Sequence, residues 1–63
     1  MNKKPKAKLI GENGNIFNLI SIAAKVLNNA GMSNFAEEMC DRCMSSKSYV
    51  EAISIIQEYV EVI

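Results

Sequence analysis

The sequence contains no histidine and no tryptophan, and it has only two cysteines and one proline among 63 residues. Histidine is the side chain that most often serves as a general base, so the serines and cysteines lack a partner for nucleophilic catalysis. Two cysteines supply half of the four ligands that a structural zinc site needs. We therefore expect a protein that is not an enzyme and that uses no metal or other cofactor.

Long hydrophobic runs are also missing. Asn18, Ser21 and Lys25 interrupt the longest apolar stretch, whereas a membrane-spanning helix needs ~18 apolar residues. The turn-forming residues at 11–15 would break the apolar region of a secretory signal peptide near its start. The sequence thus predicts a cytoplasmic protein that has no membrane partner.

Charge is balanced overall but is distributed unevenly. Four of the seven basic residues fall in the first eight positions, Lys3, Lys4, Lys6 and Lys8, whereas all seven acidic residues lie in 9–63. This asymmetry predicts a flexible basic arm over 1–8 in front of a single domain over 9–63. The arm is typical of a solvated leader, and the alternative function is that of a nucleic-acid accessory protein that binds non-specifically through these four lysines.

Apolar residues recur at spacings of three and four along three stretches, which predicts helices at about 15–30, 34–45 and 48–62. The first helix is marked at both ends. Asn15, or Asn13 before it, can cap the N-terminus, and Gly31 suits a left-handed residue after the C-terminus. Asn13 and Gly14 could instead form a hairpin turn, but the adjacent apolar pairs that follow do not alternate as a strand does.

The second and third helices each begin with the spacing of a capping box, Asn34 with Glu37 and Ser48 with Glu51. The last five residues alternate and are rich in β-branched side chains, so a terminal strand is the alternative there. Residues 9–10 form a short extended segment in front of the first helix. We predict an all-α fold, a small three-helix bundle preceded by a basic disordered arm and that extended segment.

Cys40 and Cys43 form a CxxC motif on the apolar side of the second predicted helix. A redox cysteine is favoured at a helix N-terminus, where the dipole lowers the thiol pKa, whereas burial raises it. The motif therefore favours structural thiols, and a redox role is a further alternative. In the same helix, Glu38 and Arg42 have the spacing of an i,i+4 ion pair.

Four large apolar residues fall outside the main helical stripes, Ile22, Val26, Ile55 and Val62. They could form an exposed interaction surface, or the extended segment and their own mutual contacts could cover them. The exposed interpretation predicts a non-enzymatic protein-interaction module that binds an unknown partner or forms a homodimer.

Residues 8–17 and the segment from Tyr49 to Val62 resemble a family of small uncharacterised bacterial proteins. Its members share a hydrophobic-Gly-acidic-Asp/Asn-Gly-Asn-x-Phe opening, a Ser-Ser/Gly-x-Tyr turn into the last helix and a Tyr-Val-x-Val end. Some are encoded on mobile elements of Gram-positive bacteria. This chain departs from the pattern at Asn13, where Asp is common, and at 46–48, where a glycine is common. The resemblance implies a bacterial origin but no activity.

Overall fold

The structure, a computed structural model, describes residues 3–63. Its elements in chain order are β1 Lys6–Ala7, α1 Ile16–Asn29, α2 Ser33–Met44, α3 Tyr49–Tyr59 and β2 Glu61–Val62. The three helices pack against one another, which confirms the predicted three-helix bundle. In the described part of the chain, no helix combines the length and the apolar character that crossing a membrane requires.

Two asparagines start α1 in different ways. Asn15 is the N-cap residue, and its side-chain oxygen accepts a hydrogen bond from the backbone N–H of Phe17 at 2.9 Å. Asn13 forms the turn before it, because its side-chain oxygen accepts from the N–H of Asn15 at 2.9 Å. The polar segment before α1 thus satisfies donors that the first helical turn leaves free.

The end of α1 is a Schellman motif centred on Gly31. Gly31 has a φ of 75°, a conformation that costs glycine little. Its N–H bonds to the carbonyl of Asn28 at 3.1 Å, and the N–H of Met32 bonds to the carbonyl of Leu27 at 2.8 Å. The chain therefore reverses within two residues, and α2 begins at once.

The start of α2 differs from the predicted capping box. The helix begins at Ser33, and its N-cap is Met32, which makes no side-chain capping bond. Asn34 is therefore already inside the first turn, where its side chain cannot cap, and the predicted pairing with Glu37 is wrong. The carbonyl of Met32 accepts instead from the N–H of Ala36 at 3.0 Å.

The start of α3 confirms the other predicted cap. Ser48 accepts a hydrogen bond from the N–H of Glu51 at 3.1 Å. The carboxylate of Glu51 in turn accepts a hydrogen bond from the N–H of Lys47 at 3.2 Å, one residue before the cap. Both halves of the box are therefore used, with the second shifted by one position.

The two ends of the described chain pair with each other. Strand β1 runs parallel to β2, with Lys6 opposite Glu61 and Ala7 opposite Val62. Residues 6–7 of the predicted basic arm are thus part of the fold, which begins before the predicted boundary at residue 9. Residues 1–2 of that arm lie outside the described residues.

The predicted third helix ends early. Residue Tyr59 is its last residue, and Val60 has extended backbone angles of φ −134° and ψ 154°. The N–H of Glu61 bonds to the carbonyl of Pro5 at 2.9 Å, and that of Ile63 bonds to Ala7 at 2.9 Å. The prediction of helix to residue 62 is wrong, because the alternating β-branched end pairs with β1.

The core contains residues from every helix and from the terminal segments. The largest fully buried side chains include one from each helix, Leu27, Met39 and Ile56. Ala7 and Val60 are buried with them, so the terminal segments complete the core. The other buried members are Leu9, Leu19, Ile20, Ala23, Ala36, Cys43, Ala52, Ile55 and Tyr59.

Candidate functional site

The predicted interaction surface is not exposed in the structure. Ile55 is buried, and Ile22, Val26 and Val62 are half-buried and packed against the core. The alternative, in which other residues cover these four, describes the fold better. The predicted extended segment contributes only in part to this cover. Leu9 is buried, as Ala7 is, whereas Ile10 is exposed.

Exposed apolar side chains gather instead at the end of the bundle where α1 begins, α2 ends and α3 begins. Phe17 is 60% exposed, Met44 64% and Tyr49 50%. They line a cleft of about 320 Å³, which we call the end cleft. Its other lining residues are Ile16, Ile20, Cys43, Ser46, Lys47, Ser48 and Ala52.

The positions of these side chains within their helices explain their exposure. Phe17 is the second residue of α1, Met44 is the last of α2 and Tyr49 is the first of α3. Each therefore lies in the terminal turn of its helix. Helical periodicity alone places all three on the apolar faces of their helices, and the signal in the sequence that they are exposed is their position beside the predicted helix ends.

A side-chain hydrogen bond fixes one wall of the end cleft. The hydroxyl of Tyr49 donates to the carbonyl of Gly14 at 2.6 Å and so joins the turn before α1 to the start of α3. A Cβ atom added at Gly14 would lie 3.6 Å from that hydroxyl oxygen, an ordinary contact. The Tyr49 ring is thereby held at the cleft rather than left free to rotate into solvent.

The lining of the end cleft is suited to apolar recognition. It includes one charged residue, Lys47, and no carboxylate. The thiol of Cys43 is at its inner side, 3.8 Å from the carbonyl oxygen of Ala52. Such a concave apolar surface with few polar groups is typical of a site that takes a hydrophobic side chain.

Both cysteines of the CxxC are free thiols in an environment that opposes ionisation. Cys43 is buried and Cys40 is half-buried. Burial raises the pKa of both thiols, and the neighbouring Asp41 charge raises that of Cys40 further. Residues 3–63 contain no cluster of three or more potential metal ligands. The environment therefore disfavours the thiolate that redox or metal chemistry requires.

A polar cluster joins α2 to α3 on another face. The Arg42 guanidinium binds both carboxylate oxygens of Glu58, with Nη1 to Oε1 at 2.7 Å and Nη2 to Oε2 at 3.0 Å. It also donates to the hydroxyl of Tyr59 at 3.0 Å, and that hydroxyl donates to Glu38. The predicted pairing of Glu38 with Arg42 within α2 is therefore replaced by a bidentate pair between helices, which the planar guanidinium favours.

The cluster shifts the pKa values of Tyr59 and Glu58. Burial and the bond to Glu38 raise the pKa of Tyr59, whereas the Arg42 bonds lower the pKa of Glu58. Each shift favours the form that makes the observed bonds, a neutral phenol and an ionised carboxylate. The cluster is therefore equipped to hold two helices together, and the lowered pKa of Glu58 is the opposite of what a general acid needs.

The structure places the four predicted arm lysines, Lys3, Lys4, Lys6 and Lys8, along β1 and beside it, all exposed. Lys4 donates to the carbonyl of Gln57 at 2.8 Å. Lys8 lies 3.7 Å from the carboxylate of Glu12 and donates to a nearby backbone carbonyl. Lys4 and Lys8 are thus held in position by bonds within the chain.

No protein-family model, curated protein or solved structure is significantly similar to this chain. The resemblance to the family of small bacterial proteins therefore stays a prediction.

Proposed function

We propose that this chain is a non-enzymatic protein-interaction module and that it binds an apolar side chain of a partner in the end cleft. The observation that carries the proposal is the convergence of Phe17, Met44 and Tyr49 on one concave surface. The partner is either another protein or a second copy of the chain. A cytoplasmic location and a bacterial, mobile-element origin, both expected from the sequence, are part of the proposal.

The energy available at the end cleft is only part of what specific binding requires. Full burial of one large apolar side chain contributes about 1.5–3 kcal/mol, so covering the exposed half of three such side chains contributes about 3 kcal/mol. A specific interface buries about 800 Å² on each partner, which is about a fifth of the 4137 Å² that the chain exposes in total. Three side chains cannot supply so large an area. The partner must therefore also contact residues around the cleft, and the cleft would supply the energetic centre.

A photo-crosslinking experiment tests the proposal. Lys47, on the rim of the end cleft, is replaced by p-benzoylphenylalanine, and cells that naturally contain the chain are irradiated. We expect an adduct with one partner protein or with a second copy, identified by mass spectrometry. The same adduct should be lost when Met44→Ser is added, because the substitution removes an exposed apolar contact.

Ile10→Ser is the matched control. Ile10 is 69% exposed, close to the 64% of Met44, but it does not line the cleft. The adduct should therefore survive this substitution. An adduct that Met44→Ser leaves unchanged, or the absence of any adduct from a folded chain, would contradict the proposal.

A further inference from the structure

The two-stranded ladder has an open edge on β1. Alternate residues of a strand direct their backbone N–H and C=O groups to opposite edges. The carbonyls of Pro5 and Ala7 point toward β2, where they accept hydrogen bonds from the N–H groups of Glu61 and Ile63. The backbone N–H and C=O groups of Lys6 and Lys8 therefore point away from β2.

These outward groups have no partner within residues 3–63. Neither Lys6 nor Lys8 forms a hydrogen bond through its backbone N–H or C=O away from the ladder. Both residues are exposed. An exposed row of backbone donors and acceptors is a template for another extended chain.

A groove runs beside this edge. It has a volume of about 360 Å³ and is lined by Lys3, Lys4, Pro5, Lys6 and Met32. Its lining includes Lys6, whose peptide groups point away from β2, and includes no residue of β2. Pro5 and Met32 supply apolar surface, and the lysines supply positive charge without a carboxylate among the lining residues.

We propose that the outer edge of β1 binds an extended acidic segment of a protein partner as a third strand. Its backbone would bond to the outward groups of Lys6 and Lys8. Its carboxylates would pair with the lysine side chains, and one apolar side chain would enter the groove between Pro5 and Met32. This mode of recognition combines main-chain affinity with specificity from alternate side chains.

The charges on the structure favour this occupant over two others. A second copy would bring its own lysines against these, and like charges on facing edges oppose pairing. The phosphates of nucleic acid would accept bonds from the free N–H groups, but they carry no donor for the free C=O groups. An acidic extended peptide satisfies both the backbone groups and the lysines.

The test uses the full chain, labelled with ¹⁵N, and a capped hexapeptide of alternating glutamate and valine. We expect the amide signals of Lys6 and Lys8 to shift on titration and to exchange more slowly with solvent. Methylating the peptide nitrogens that would face β1 should weaken binding about tenfold, because it removes the backbone donors. Lys6→Gln should weaken binding about threefold, as for loss of one exposed ion pair.

Two controls separate this surface from the end cleft and from nucleic acid. Met44→Ser, in the cleft, should leave peptide affinity unchanged, so either surface can fail without the other. An oligonucleotide of equal charge should bind more weakly than the peptide. The proposal is overturned if N-methylation has no effect, if the oligonucleotide binds more tightly, or if the Lys6 and Lys8 amides neither shift nor gain protection.

Discussion

A pair of neighbouring substitutions, Ala7→Asn and Lys6→Asn, tests whether the N-terminal strand belongs to the fold. Ala7 is 0% exposed and Lys6 is exposed, although the two are adjacent in β1. The same new side chain is thus placed once toward the core and once toward solvent. A flexible arm, as predicted from the sequence, would tolerate both substitutions equally.

The structure gives different magnitudes for the two sites. A buried amide without a partner costs about 1–3 kcal/mol, and forcing extra volume into a packed site costs about 1–3 kcal/mol. We therefore expect Ala7→Asn to lower the free energy of unfolding by about 2–6 kcal/mol. Lys6→Asn should change it by less than about 0.5 kcal/mol, as is usual for surface positions.

Urea unfolding followed by circular dichroism measures this difference. A domain of this length has a total stability of roughly 3–9 kcal/mol, and the dependence on urea is about 1 kcal/mol per molar. The midpoint for Ala7→Asn should therefore fall by roughly 2 M or more, or the variant should be unfolded in buffer. Equal midpoints for the two variants would refute the burial of Ala7 and the ladder that places it.

Three further predictions follow from local features. Gly31→Ala should cost about 1–2 kcal/mol of stability, because the φ angle of Gly31 is 75°. Gly14→Ala should be nearly neutral in the same denaturation assay, and equal losses of stability in the two variants would contradict this prediction. The pKa of Glu58 is lowered by its guanidinium partner, so its stabilising contribution is present at neutral pH and is lost as the pH falls through that lowered value. Thermal unfolding of Glu58→Gln should therefore approach that of the parent chain in acid, and a pH-independent difference would count against the pair. Ellman's reagent should react slowly with the native thiols near neutral pH, at Cys40 before the more deeply buried Cys43; rapid reaction of both would exclude their burial.

The helix ends that could be predicted depend on short-range chemistry. Asn15, Ser48 and Gly31 act on backbone groups within a few residues, so their types and positions are sufficient to place them. The start of α2 was misplaced because the Schellman motif leaves no room for a separate cap before Ser33. The capping pattern at Asn34 falls two residues after the observed N-cap, Met32.

The strand pairing and the end cleft required information that local patterns do not contain. Ala7 and Val62 become partners only because the three helices return the chain to its starting side. The cleft residue Met44 has the periodicity of a core position, and its exposure depends on where α2 ends relative to its neighbours. Ile55 shows the converse, since it lies off the predicted stripe but is buried beside the other helices.

The pairing of β1 with β2 also has a consequence for the order of folding. Its partners, Lys6 and Glu61, are separated by almost the whole chain, and such distant contacts carry the largest loop-closure cost. The helices can associate through nearer contacts first, so we expect the ladder to form late and its substitutions to change mainly the unfolding rate. The lysine-bearing edge is therefore completed in the last folding step. A partner that adds a strand there would bind only the finished fold and would slow its unfolding.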